Sequence, residues 1–599
     1  MAVQTLPTRS VVPVEMTWDL ESIYPTPDAW EKDFNFINDE LPKLSAYEGK
    51  LSDSAQTLYE ALDFDSRLSE VLGRLAVYAS MRADEDTANQ TNQAREARIN
   101  MLGAKAGAAT AFLTPEILAI PQARLESFLS EEPRLELYRH TLDELLRRKP
   151  HVRSAEVEAL LAESSEVLYA PAQIFGMIND ADLKLPIIKN SKGEDVQLSK
   201  GNFILFMEDR DRRVRKDAFE GMHSTFYKQR NTLAATLNGH VKSQIFRARA
   251  RRYDSAIEAA LDANNIPISV YGSLLETVRN NISVLNRYLA LRKKVLGLED
   301  LHMYDLYVPI VAEVEYKVPF EQAKETVAKA LAPLGKDYVE DMVRGFNSRW
   351  IDVLENEGKR GGAYSSGTYG THPFVLLNYQ ENLDNMFTLA HEFGHSMHSF
   401  YTRRTQPYPY GDYTIFVAEV ASTLNEALLT HYLLETVTDK PLRMYIINHY
   451  LEGFRATLYR QTLFADFERQ IHAMAEAGEA LTAESLSKVY KDLNVAYYGG
   501  EVNVDDLIEI EWARIPHFYY NFYVYQYATG ISASAALAQQ IVTEGQPAVE
   551  RYRRFLTRGS SNYSINLLRD AGVDMTSPAP VQQALELFGR YVGEMEKLV

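Results

Sequence analysis

Leu383, Met386, Phe387, Ala390, Phe393 and Met397 recur at steps of three and four residues. That spacing gathers them on one side of a helix and predicts an α-helix from Leu383 to about Thr402, apolar face inward. Asn382 or Asp384 suits its start, Arg403 and Arg404 suit its end, and Pro407 follows, in keeping with capping and dipole preferences. Thr26-Pro27-Asp28 and Thr114-Pro115-Glu116 are helix-start signals: a capping hydroxyl, a proline whose missing N–H costs nothing, then an acid. The alanine-rich stretch Ala94 to Phe112 reads as helix, weakened slightly by Gly103 and Gly107. The pattern breaks at Leu183 to Phe203, where two short apolar runs flank Asn190-Ser191-Lys192-Gly193. This predicts a β-hairpin and a lobe boundary. Helical signals resume at Arg210 and run to about Leu298. A second break, the glycine-rich Lys359 to Thr371, leads into a short strand, Pro373 to Tyr379. Proline in first place points to an edge strand, and an open edge can pair with an extended peptide through Leu376, Leu377 and Asn378. Phe416 to Glu426 predicts a second helix. The expected class is mainly α, with a small β-sheet beside the Leu383 helix, a helical lobe over 1–200 and a second domain over 201–599.

The length of 599 residues admits three to four domains at about 150 residues each. A formal charge of −19 argues against nucleic acid and against an anionic membrane surface as partners. The chain has no cysteine, which removes disulfides, thiolate metal ligands and cysteine nucleophiles together. Met1 to Glu15 carries no apolar core of signal-peptide type, and no apolar run is long enough to span a membrane. A cytoplasmic setting is therefore expected.

The Leu383 helix carries His391-Glu392-Phe393-Gly394-His395. Residues four apart share a helix face, so His391 and His395 can grip one metal ion while Glu392 reaches a water beside it. Two imidazoles and a carboxylate base suit a zinc hydrolase. The bland alternative is a helix with incidental histidines. A third ligand is needed. His398 lies about 10 Å along the helix axis from His391, too far to converge, and reads as a packed or outer-sphere histidine. Glu419 and Glu426, seven apart on one face of the second helix, both remain candidates. Either could bind the ion while the other supports a histidine ring; the bland reading is two solvent-facing glutamates. The segment Ile515 to Gly530 is dense in tyrosine around His517. Aromatic packing accounts for such a run, but a phenol or imidazole aimed at a developing oxyanion would also stabilise a transition state.

The string His391 to His398, followed by Phe416-Val417-Ala418-Glu419 and Ser422, resembles the thimet-oligopeptidase superfamily of zinc metallopeptidases, in its oligoendopeptidase F branch. Gly361-Gly362-Ala363-Tyr364, the strand Pro373 to Tyr379 and the tyrosine-rich segment extend the resemblance. It implies a two-lobed helical zincin with a deep substrate channel, one Zn2+ per chain and short unfolded oligopeptides as substrates. It implies Glu419 as third ligand and Glu426 as an acidic group near the site. It implies His517 and tyrosines as substrate-facing groups, with Tyr525 and Tyr527 foremost and Tyr520 and Tyr523 as further candidates. Two other functions compete: a zinc carboxypeptidase of related fold, and a non-catalytic helical scaffold that binds peptides. The sequence leaves oligomeric state and cleavage preference open.

Overall fold

The computed structural model describes residues 6–311 and 316–599. It is mainly helical, with short strands β1 (Ile187–Lys189), β2 (Asp195–Gln197), β3 (Leu301–His302), β4 (Ile351–Asp352), β5 (Tyr364–Ser366), β6 (Phe374–Leu376) and β7 (Val502–Asn503). Two compact units each combine three stretches of chain. The first takes Met1–Pro150, Tyr316–Tyr432 and Leu537–Gly572; the second takes His151–Glu315, Leu433–Ala536 and Val573–Val599. No helix among the described residues is long and apolar enough to cross a membrane.

Local signals place several elements. Thr26 caps the helix Pro27–Glu40, accepting from the Ala29 N–H. The Asn190 turn closes the antiparallel hairpin β1–β2, with Ile188 opposite Val196. Two expectations shift. The helix Leu113–Ala119 starts before Thr114, so its cap position is Phe112 and no side chain caps it. Helix also resumes earlier than Arg210, at Lys200, because Ser199 and Asn202 form a reciprocal capping box.

In the first unit, a three-stranded sheet runs in the order β4-β6-β5, parallel on one side of β6 and antiparallel on the other. The expected edge strand is therefore central. Pro373 precedes β6 and withholds no hydrogen bond from the ladder. Leu376 pairs with Asp352 and Tyr364, the Leu377 N–H bonds the Asp352 carbonyl, and Asn378 Nδ2 bonds the Arg360 and Gly362 carbonyls. β6 is paired on both sides, so this strand has no backbone edge left for a peptide. Phe374 and Leu376 point together into a core with Trp18, Leu20, Trp30, Leu75 and Tyr78, as alternate residues of a strand must. The N-terminal segment covers the β4 side: the Asp19 N–H bonds the Arg349 carbonyl, the Val353 N–H bonds the Met16 carbonyl, and Arg9 ion-pairs with Asp352 and Glu85. The outer edge of β5 has no strand beside it among the described residues. This strand lay hidden in the glycine-rich break, bounded by the positive-φ turns at Gly362 and Gly367.

The helix Leu383–Thr405, the motif helix, begins at Asn382, whose side chain accepts from the Asn385 N–H. All six residues of its predicted stripe are buried. It packs across the helix Ile415–Thr436, the glutamate helix, with almost no space between backbones. A Cβ on Gly394 would lie 2.4 Å from Ser422 Cα and 2.5 Å from the Ala421 carbonyl oxygen. Asn425 Nδ2 bonds the Ala390 carbonyl at 3.0 Å across the same crossing. Since backbone cannot yield as a side-chain tip can, Gly394→Ala is expected to cost about 1–3 kcal/mol by overpacking. The denaturation midpoint measures this, and an unchanged midpoint contradicts so close a crossing.

Candidate metal centre

The helix repeat puts His391 and His395 one turn apart, ring centroids 4.9 Å from each other. The crossing at Gly394 brings Glu419 to them: its Oε2 is 3.4 Å from His391 Nε2 and 3.6 Å from His395 Nε2. Ligands at zinc bond lengths in a tetrahedron stand about 3.3 Å apart. The three atoms thus already lie close to the edges of such a tetrahedron. Among the described residues, this is the one group of three or more His, Asp or Glu side chains gathered tightly enough to hold an ion. Two imidazoles and a carboxylate also suit zinc chemically, so the donor set fits that ion.

Each ligand is held from behind. His391 Nδ1 bonds Glu426 Oε1, which turns Nε2 toward Glu419. The Ala418 backbone acts on the His395 ring, favouring its charged form. Ser422 Oγ donates to Glu419 Oε2 at 2.9 Å. Geometry thereby separates two glutamates that sequence spacing left equal: Glu419 meets both Nε2 atoms, and Glu426 meets the far nitrogen of one ring.

The electrostatics favour a cation. Burial alone would lower the His391 pKa, but the Glu426 carboxylate bonded to it, with Glu392 and Glu419 nearby, raises it to about 9. Burial and the neighbouring His391 push His395 down to about 4. The pocket therefore draws positive charge without protonating both rings, and a divalent ion supplies that charge while leaving both imidazoles neutral. Glu392 is only 7% exposed. Burial pushes its carboxyl up to about 7; the His391 charge opposes this, Glu419 and Glu426 add to it, and the Ser365 backbone N–H stabilises the carboxylate. Ser365 belongs to β5, and its hydroxyl also meets that of Ser396 at 2.8 Å. The open strand edge thus runs beside the glutamate. Sequence reasoning missed β5 and Ser365, since a three-residue strand between glycines shows no periodicity.

His398 is fully buried, stacked on Tyr413 at a centroid distance of 3.7 Å, and burial holds its pKa down near 3. It is a packed histidine. The tyrosine-rich segment lies in the second unit and sorts into two sets. Phe518, Phe522 and Tyr525 are buried, and Tyr525 packs on Tyr271 at 5.0 Å. His517, Tyr520, Tyr523 and Tyr527 form one aromatic group, with His517 centroids 5.6, 6.2 and 6.2 Å from the three tyrosines. Tyr525 and Tyr527, the two foremost candidates, fall on different sides of this split: Tyr525 is 3% exposed and packs in the core, while Tyr527 faces His517.

Comparison with known proteins gives the family. A model of peptidase family M3 matches residues 205–587, and a model described as oligopeptidase F matches residues 116–184. The chain is 52% identical to oligopeptidase PepF of Bacillus subtilis (strain 168) over 594 residues, 99% of this chain and 89% of that one. A structure from Chlamydophila abortus described as a peptidase has a TM-score of 0.92 at 35% identity, covering 99% of this chain and 100% of that chain. Oligoendopeptidase-F from Enterococcus faecium has a TM-score of 0.76 at 39% identity, covering 95% and 99%. With a zinc-fitting cluster of His391, His395 and Glu419 on the motif its sequence carries, the chain belongs to peptidase family M3, as a zinc metallo-oligopeptidase of the oligopeptidase F type.

Proposed function

We propose that the chain cuts internal bonds of short, unfolded oligopeptides, with His391, His395 and Glu419 as zinc ligands and Glu392 as general base. The observation that carries this is the meeting of Glu419 Oε2 with both Nε2 atoms at 3.4 and 3.6 Å, next to a buried carboxyl. Zinc, when bound, acts as a Lewis acid that polarises a carbonyl and acidifies water. Glu392, poised near neutrality, takes the proton from the attacking water and returns it to the leaving amine. Glu426 fixes the tautomer of His391 through Nδ1. His517 and Tyr527, with Tyr520 and Tyr523 beside them, are the groups proposed to donate to the substrate and its developing oxyanion. Support for this comes from their shared cluster and from the family resemblance.

The backbone edge proposed to pair with the peptide is β5, Tyr364–Ser366, because no strand pairs with its outer side among the described residues and Ser365 lies near Glu392. A helical lobe over 1–200 beside a catalytic domain over 201–599 is part of the reading, supported by the separate family matches to 116–184 and 205–587. A cytoplasmic setting, with no nucleic-acid or membrane partner, belongs to it too, and cell fractionation tests the setting.

Glu392→Gln is expected to keep one zinc per chain and lose about 10²–10⁴-fold in turnover. Near-normal turnover would remove Glu392 from the mechanism. Glu426→Gln is expected to weaken zinc binding about 10- to 100-fold, read by competition with a chelator; unchanged affinity contradicts its orienting role. A peptide blocked at both ends and labelled for fluorescence should be cut, with activity lost on chelation and regained with zinc, while a folded protein in the same tube survives. Failure to cut the blocked peptide favours a carboxypeptidase, and indifference to chelation favours a non-catalytic scaffold. N-methylation of single backbone amides in that peptide should raise KM at the positions that pair with β5; equal tolerance everywhere contradicts the pairing.

A further inference from the structure

The turn inside the tyrosine-rich segment is built from two residues that rarely adopt its shape. Asn521 has φ 55° and Phe522 φ 51°, consecutive left-handed conformations in residues that carry a Cβ. No glycine relieves them. Such pairs persist only where the surroundings over-determine them, and they gather at functional sites.

Here the surroundings are specific. The Phe522 N–H donates to Oε1 of Glu468, a residue of the helix Arg460–Glu476 with no exposed surface. The second carboxyl oxygen of Glu468 has no hydrogen-bond partner, nor has Asn521 Oδ1. Burial raises the Glu468 carboxyl to about 8, with the Phe522 N–H opposing. The Phe522 ring is locked from the same helix by His472, at a centroid distance of 4.5 Å. His472 in turn bonds the Glu468 carbonyl through Nδ1 at 2.8 Å. A half-satisfied buried carboxyl and two strained residues both oppose folding. They make sense together if the shape they impose is needed.

What that shape imposes is the sorting of the segment. Before the turn, Phe518 packs between Phe464 and Phe467, and Tyr519 stacks on Phe175 at 4.3 Å. After it, Tyr525 packs on Tyr271. Tyr520 and Tyr523 lie between these anchors, His517 and Tyr527 just outside them, and the four rings form one group. We infer that Glu468 is a positioning residue for catalysis: its bond to the Phe522 N–H holds the left-handed turn at Asn521-Phe522 and so fixes His517 and Tyr527 in register for the substrate. The inference rests on the reading of His517 and Tyr527 given above.

The test uses the full zinc-loaded enzyme and the blocked peptide. Glu468→Ala is expected to lower kcat about 10- to 100-fold, with KM changed far less and one zinc per chain retained. Glu468→Gln keeps the acceptor and should restore most of kcat. Asn521→Gly, added to Glu468→Ala, removes the cost of the left-handed turn and should recover part of the lost kcat. Should Glu468→Ala fail to fold, Glu468→Asp, too short to reach Phe522, gives the same reading. Unchanged kcat in Glu468→Ala, or a loss that neither Gln nor Asn521→Gly recovers, overturns the inference. His517→Ala separates the layers: if it lowers kcat while Glu468→Ala does not, the positioning role alone fails. If His517→Ala leaves kcat unchanged, the reading beneath it fails and takes the positioning role with it.

Discussion

The backbone contact between Gly394 and Ser422 is the constraint on which the metal centre depends. Two helices meet there with no side chain between them, and the carboxylate one turn before Ser422 therefore falls within 3.6 Å of both motif imidazoles. Any larger residue at 394 would separate the helices and leave three donors that no longer enclose one ion. Asn425 bonds Ala390 across the crossing, while Ser422 holds the Glu419 oxygen. Small and polar residues make the close contact at this point, while the large apolar stripe of the motif helix is buried in the core.

The sheet provides the second constraint. The N-terminal segment seals β4, β6 sits in the middle with its leucine and phenylalanine in the aromatic core, and β5 keeps an open side beside Glu392. One sheet thus presents a single backbone edge, and that edge runs where the base lies. The Lys359 side chain, without exposed surface, ties this region together through Asp352 and the carbonyls of Leu354 and Leu377. The base and the strand edge are therefore positioned by the same local framework.

Features set by residues close in sequence are legible in the sequence itself. The motif helix, its Asn382 cap and its apolar stripe follow from spacings of one to four residues, as does the hairpin around Asn190. The choice between Glu419 and Glu426 was not of this kind. They occupy one helix face, and only the crossing point, a tertiary contact, decides which meets the imidazoles. The proline before β6 misled for a related reason: it lies outside the ladder, so its missing N–H says nothing about the strand's neighbours. Tyr525 and Tyr527 differ by two positions, yet one packs in the core and the other faces His517. No periodicity announces a turn made of Asn and Phe. The assembly of each compact unit from three separate stretches is likewise a long-range property.

The central claim is that one ion sits between His391, His395 and Glu419, with Glu426 behind His391. Anomalous diffraction at the zinc absorption edge from the zinc-loaded protein tests it most directly. The account predicts one peak per chain, bonded to both Nε2 atoms and to Glu419 at about 2.0–2.2 Å, with Glu426 on His391 Nδ1. A peak that engages Glu426 in place of Glu419, or lies away from the two histidines, would contradict it.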